Sequence, residues 1–208
     1  EGGLVRLSSG EVRDIDEAAL REGKVGARHY GEMCVPVEGE FMQHVKQGGM
    51  ESEELVLVDL ADWLQESWED GVRYVFGPGS TLHGLAQNLG LETTLLGVDV
   101  IEDGAVIARD VTEAQLFELI DGHPARLLVT AIGGQGHIIG RGNQQISARV
   151  LRAIGLDHLR VIATKRKLGT LEGRPLLVDS GDPALDEAFP DAVRVWAGYR
   201  EELLYPLR

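Results

Sequence analysis

From Glu51 onward, short apolar runs alternate with stretches of helical spacing, and this alternation narrows the fold more than any other feature of the sequence. The runs Arg73–Phe76, Thr94–Val98, Ala125–Ile132, His158–Thr164 and Ala192–Ala197 are four to eight residues long. Strands of that length that are apolar throughout are buried on both faces. Between them lie helical patterns. Leu55, Val58, Leu60, Leu64 and Trp68 form one stripe, started by Ser52 and Glu54. Ser80–Leu89 ends at Gly90, Thr112–Ile120 has Thr112 as N-cap and Gly122 beyond its end, and Ile146–Ile154 follows. Asp182-Pro183 opens a last helix with cap and proline in the favoured order. Val106–Ala108 reads as a small accessory strand. The fold class expected for residues 51–208 is therefore α/β, a mostly parallel Rossmann-like sheet with helices on both faces.

Residues 1–50 differ. Glu11–Ile15 and Ala27–Val37 mix apolar residues with Arg, His, Tyr and Glu, as half-buried antiparallel strands do. A helical turn is expected at Asp16–Arg21 and a linker at Val45–Met50. The expected organisation is a strand-rich segment over 1–50 beside an α/β domain over 51–208.

A net charge of −14 argues against non-specific binding to nucleic acid or to an anionic membrane, because both reward clustered Lys and Arg. An anionic ligand would have to be held by local features. Cys34 is the single cysteine, so no intramolecular disulfide can form and a reducing, cytoplasmic setting is expected. No apolar run approaches the ~20 residues of a membrane span, and no basic-then-apolar leader is visible. The sequence opens on Glu1 rather than Met, which suggests a piece of a longer protein. Self-association into a homo-oligomer is left open.

The densest chemistry follows the run Ala125–Ile132. Gly133, Gly134, Gly136, Gly140 and Gly142 fall within ten residues, with Gln135, Arg141, Asn143, Gln144 and Gln145 among and after them. Glycine permits positive φ and a close backbone approach, and successive bare N–H groups can cradle an anion. Arg141 adds a fork of donors, and the carboxamides could read a base or a sugar hydroxyl. A long glycine-rich loop with no ligand is the plainer alternative. Gly77-Pro78-Gly79-Ser80-Thr81 joins a strand to a helix, where unpaired N–H groups and the helix dipole favour an anion. It is not a P-loop, because the spacing differs and no Lys follows. Ser80 or Thr81 could bind phosphate or cap the helix. Asp99 follows Leu95-Leu96-Gly97-Val98 and could hold a ribose hydroxyl, bind magnesium, take a proton or cap a turn. Lys165-Arg166-Lys167 reads either as phosphate-gathering cations or as a solvated surface. The histidines show no metal-ligand spacing, so no metal site is expected from them. His137 alone lies inside the glycine-rich stretch.

Taken together, these residues resemble the ATP-NAD kinase family in its C-terminal part. The matching pieces are Asp16-Glu17, Arg28–Gly31, Gly77–Thr81, Leu95–Val100, Gly133–Ser147, Val178–Asp182 and Gly198–Glu201. The resemblance implies a cytoplasmic kinase that moves a phosphoryl group from ATP to the 2′-hydroxyl of NAD, with Mg2+ as cofactor and a small-molecule nucleotide as partner. It also implies that Gly77, Gly79, Ser80, Thr81, Gly133, Gly134, Gln135, Gly136, Arg141, Gly142, Asn143 and Gln144 bind the nucleotide, with Asp99 the best catalytic carboxylate within this chain and the family's essential aspartate in an N-terminal phosphate loop. The family's N-terminal Gly-Gly-Asp-Gly-Thr phosphate loop does not occur in these 208 residues. A lesser similarity to sugar-phosphate isomerases and deaminases of the glucosamine-6-phosphate deaminase type rests on Gly-Ser-Thr after a strand and Gly-Gln-Gly-His-Ile in a later loop. A non-catalytic nucleotide-sensing module is the third expectation.

Overall fold

The computed structural model describes residues 6–15, 27–37, 52–132 and 135–208, the first two stretches as backbone only. Strands β1 (Arg6–Ile15) and β2 (Ala27–Val37) pair antiparallel. The turn expected at Asp16–Arg21 and the linker at Val45–Met50 lie outside the described residues.

The remaining elements are α1 (Glu53–Glu66), β3 (Arg73–Phe76), α2 (Ser80–Asn88), β4 (Asp99–Glu102), β5 (Ala105–Ala108), α3 (Glu113–Ile120), β6 (Ala125–Val129), α4 (Ala148–Ile154), β7 (Leu159–Ile162), α5 (Lys165–Gly169), α6 (Pro183–Asp186), β8 (Ala192–Gly198) and β9 (Glu201–Pro206). They build one seven-stranded sheet in the order β5-β4-β3-β6-β7-β8-β9. Only the middle is parallel. β3, β6, β7 and β8 run together, whereas β4, β5 and β9 pair antiparallel at the two flanks.

Side-chain alternation divides the core between the two faces. Tyr74, Phe76, Leu128, Ile162 and Trp196 pack with Leu60, Leu64, Leu82 and Leu85 of α1 and α2. Val75, Leu127, Val129, Val161 and Val195 pack with Leu116, Ile120, Val150 and Leu151 of α3 and α4. Leu127 and Leu128 are neighbours in sequence, both essentially inaccessible, yet they belong to opposite layers. Each such leucine contributes roughly 2 kcal/mol by burial, and a one-residue slip would exchange the layers wholesale. The register is therefore tightly set.

Two expectations are corrected. Thr94–Val98 is not a strand. Leu95 and Leu96 are exposed there, and pairing begins only at Asp99, where β4 runs antiparallel to β3. The series also does not close at Ala197, because β9 folds back on β8 with alternately half-buried and exposed residues.

Candidate functional site

β3, β6 and β7 end side by side, with Phe76 opposite Leu128 and Val129 opposite Val161. After β3 the chain crosses to β4 on one flank and then returns to β6 on the other. A reversal of this kind leaves a crevice at the carboxyl ends of parallel strands.

The turn Gly77–Thr81 leaves β3 at that edge. Gly77 donates its N–H to the Leu128 carbonyl at 2.9 Å, which ties the turn to β6. Gly79 has φ +127°, and a Cβ on it would stand 2.9 Å from the Thr130 methyl, so both conformation and space require glycine. Gly79 is itself the N-cap of α2 and offers no side-chain cap. Neither Ser80 nor Thr81 caps the helix. Ser80 is exposed at its start, while Thr81 is buried and faces inward.

Thr81 faces Lys167. The Lys167 ammonium donates to Thr81 Oγ1 and to Thr130 Oγ1, each at 3.0 Å. Thr130 directly follows β6 and is buried, and Thr164 after β7 caps α5 by accepting from the Lys167 N–H. Three strand ends thus meet at one cation. Burial pushes the Lys167 ammonium below the ordinary lysine range, and Glu53 opposes this only as a charge acting through space. The run Lys165–Lys167 is not one block. Lys165 pairs with Glu201 at 2.8 Å and Arg166 with Glu53 at 3.8 Å, so only Lys167 turns into the edge. The sequence reading missed Thr130 and did not single out Lys167. The available signal was the helical phase, since Thr164 as N-cap places Lys167 and buried Leu168 on the inward side.

The second glycine-rich segment leaves β6 at the same edge and returns beside the first, with Ile146 Cδ1 3.7 Å from where a Gly77 Cβ would be. Gly133 and Gly134 lie outside the described residues. The rest of the segment is occupied largely by its own packing. The Gly136 carbonyl accepts from Leu177 N at 2.9 Å, and Gly136 has φ +80°. Gly140, at φ +97°, comes so close to the Asp179 backbone that a Cβ would lie 2.0 Å from its carbonyl oxygen. Gly142, at φ +76°, sits over Ile132. Asn143 is buried, accepts from Gly140 N at 2.9 Å and donates to the Ile138 carbonyl at 2.8 Å. Its carboxamide braces the loop from within. Arg141, Gln135 and Gln144 remain at the surface, with Arg141 Nη1 3.4 Å from Gln135 Oε1. The buried His137 Nδ1 has no partner among the described residues.

Asp99 begins β4 opposite Phe76, at the same edge, but it is fully buried. Its carboxylate accepts from Thr94 N at 2.7 Å, from the Thr94 hydroxyl and from Asp110 N at 2.9 Å. Those bonds fold the 94–98 segment around it and leave it no open face. Among the described residues no cluster of His, Cys, Asp or Glu could hold a metal ion. The described residues therefore do not fit the magnesium ion that the family resemblance implies.

Asp182 caps α6 through Ala184 N and Leu185 N and accepts from Arg152 at 2.5 Å. Those bonds, Arg152 foremost, hold its carboxyl below the usual range. No described helix is long and apolar enough to cross a membrane. A family model described as the ATP-NAD kinase C-terminal domain matches residues 69–207. No curated protein and no solved structure matches the chain.

Proposed function

This chain belongs to the ATP-NAD kinase family through its C-terminal domain, and on that premise we propose that it holds nucleotide for an ATP-dependent kinase that phosphorylates NAD to NADP. The observation that carries the reading is the departure of Gly77–Thr81 and of the loop after Val129 from adjacent parallel strands at one edge. A ligand in the crevice between them would meet both. Ser80 and the uncapped first turn of α2 would donate to phosphate oxygens, while Arg141 and Gln135 would reach in from the opposite rim.

In the reaction the bond from the terminal phosphorus of ATP to its bridging oxygen breaks, and a bond to the ribose 2′-oxygen of NAD forms. The proton of that hydroxyl leaves to a base. Phosphoryl transfer asks mainly for alignment and for neutralisation of charge on the moving group. This chain would supply the alignment. Asp99 is no candidate base, because its carboxylate is enclosed by its own loop. We assign that role to the aspartate of a Gly-Gly-Asp-Gly-Thr loop in a longer protein.

The test is direct. The 208-residue chain should form no NADP from ATP and NAD, and a longer protein containing that loop should form it. Failure of the longer protein to phosphorylate NAD would overturn the reading in favour of a sugar phosphate ligand or a sensing role.

A further inference from the structure

We infer that Lys167, Thr81 and Thr130 form a binding site for a phosphate group, either a phosphate monoester or the end of a polyphosphate chain. The inference deepens the kinase reading and rests on it in one respect, that ligand enters the crevice at the carboxyl edge. Its test needs no turnover, so the two can fail separately.

Donors and acceptors do not balance at this point. An ammonium has three N–H donors, and two of them go to the threonine hydroxyls at 3.0 Å. Each hydroxyl accepts from the lysine and keeps its own proton to give. One N–H and two O–H groups are thus left pointing from a single cluster, and no acceptor among the described residues takes any of them. Thr81 and Thr130 are almost wholly buried, so water satisfies them poorly. A tetrahedral oxyanion presents the missing acceptors in one group.

Charge points the same way. Among the described residues no carboxylate lies within ion-pair distance of Lys167, although the chain carries a net −14 and both neighbouring cations have acidic partners. Leaving an ammonium half-buried with no ion-pair partner in contact is costly, and a methionine would fill the same space without that cost. The location fits an anion as well. Gly79, forced to be glycine by the Thr130 methyl, leaves the first-turn amides of α2 uncapped beside the same threonine.

The experiment is calorimetric titration of the 208-residue chain with inorganic pyrophosphate, ATP and glucose 6-phosphate. Wild-type protein should bind at least one of them, and Lys167→Met should weaken that binding by about tenfold or more, the loss expected for a charge-assisted hydrogen bond. Lys165→Met removes the same charge two residues away, where the ammonium is paired with Glu201, and should leave affinity unchanged. If pyrophosphate and ATP bind but glucose 6-phosphate does not, the site takes a polyphosphate. If all three bind, it takes any terminal phosphate. If Lys167→Met does not fold, Lys167→Arg should keep binding and Thr130→Val should weaken it. No binding by wild-type protein, or equal losses in the Lys165 and Lys167 variants, would overturn the proposal.

Discussion

Gly77–Thr81 and the segment from Gln135 to Ile146 are both glycine-rich, both follow parallel strands, and both open at one edge of the sheet, yet their glycines do different work. In the first, glycine brings the backbone against β6 and leaves Thr81 facing a cation. In the second, glycine lets the backbone run against residues 175–179, and Asn143 closes the loop on itself. Glycine density alone therefore does not measure ligand binding. What separates the two regions is the state of the polar groups, open donors in one and internally paired groups in the other.

The sharpest way to break this comparison is to put a methyl group on each loop. Gly140→Ala drives a Cβ into the Asp179 carbonyl at a positive φ, against backbone that cannot step aside. It should destabilise the fold by roughly 3 to 5 kcal/mol, since strain and overpacking add. Gly79→Ala is strained by its φ of +127° but meets a side-chain methyl, that of Thr130, rather than backbone. It should cost about 2 kcal/mol, and it should also disturb the lysine's hold on Thr130. Urea unfolding of both variants measures the difference. Equal costs would mean that the second loop is as yielding as the first and that its glycines are not structural.

Much of this architecture is legible in the sequence. Short apolar runs and helical stripes foretell β3, β6, β7, β8 and the covering helices, because a strand buried on both faces and an amphipathic helix each carry their own signature. The Thr112 cap and the Asp182-Pro183 start fall where local chemistry puts them. The misses have physical causes. Leu95 and Leu96 look like a buried strand, but Asp99 recruits Thr94 and Asp110 and bends the segment outward. β9 is an edge strand, so half of it is polar and its pattern resembles a loop. At the candidate site, the glycines and Ser80 are conspicuous in the sequence. Lys167 is not, because only tertiary structure carries one member of a cationic run to two threonines from other strands.

Arg141 sharpens the comparison from the functional side. It is the exposed cation of the second loop, and its one described contact is the 3.4 Å approach to Gln135. Arg141→Ala should leave unfolding free energy within about 0.5 kcal/mol of wild type. In a longer, active protein it should lower turnover by about 1 to 3 kcal/mol of transition-state stabilisation, as expected for a lost bond to a charged group. Steady-state kinetics and denaturant unfolding on the same variant test both halves. Full turnover would take the arginine out of the site and leave the second loop a purely structural element.

The smallest expected effect lies where the second loop ends. Ser147 caps α4 and donates its hydroxyl to Glu113 Oε1 at 2.6 Å, and Arg149 grips the same carboxylate through Nε at 2.7 Å and Nη2 at 2.5 Å. Arg149 also lies over the Phe117 ring at 4.3 Å, so the exit of the loop is fastened to α3. The bonds from Arg149 first, and from Ser147 second, hold the Glu113 carboxyl down at about 2 against an ordinary 4.5. A carboxyl depressed in the folded state stabilises fully above the unfolded value and loses that contribution as pH falls through the folded one. The clamp should accordingly be intact above about pH 4.5 and fade toward pH 2. The pair is partly open to solvent, which limits its worth to about 1 kcal/mol or less. Glu113→Gln should cost that much near neutrality and almost nothing at pH 2, so the two proteins should converge on acidification. Unfolding curves that stay parallel down to pH 2 would show that the clamp does not hold the loop. The rigidity of the second loop would then rest on Gly140 and Asn143 alone.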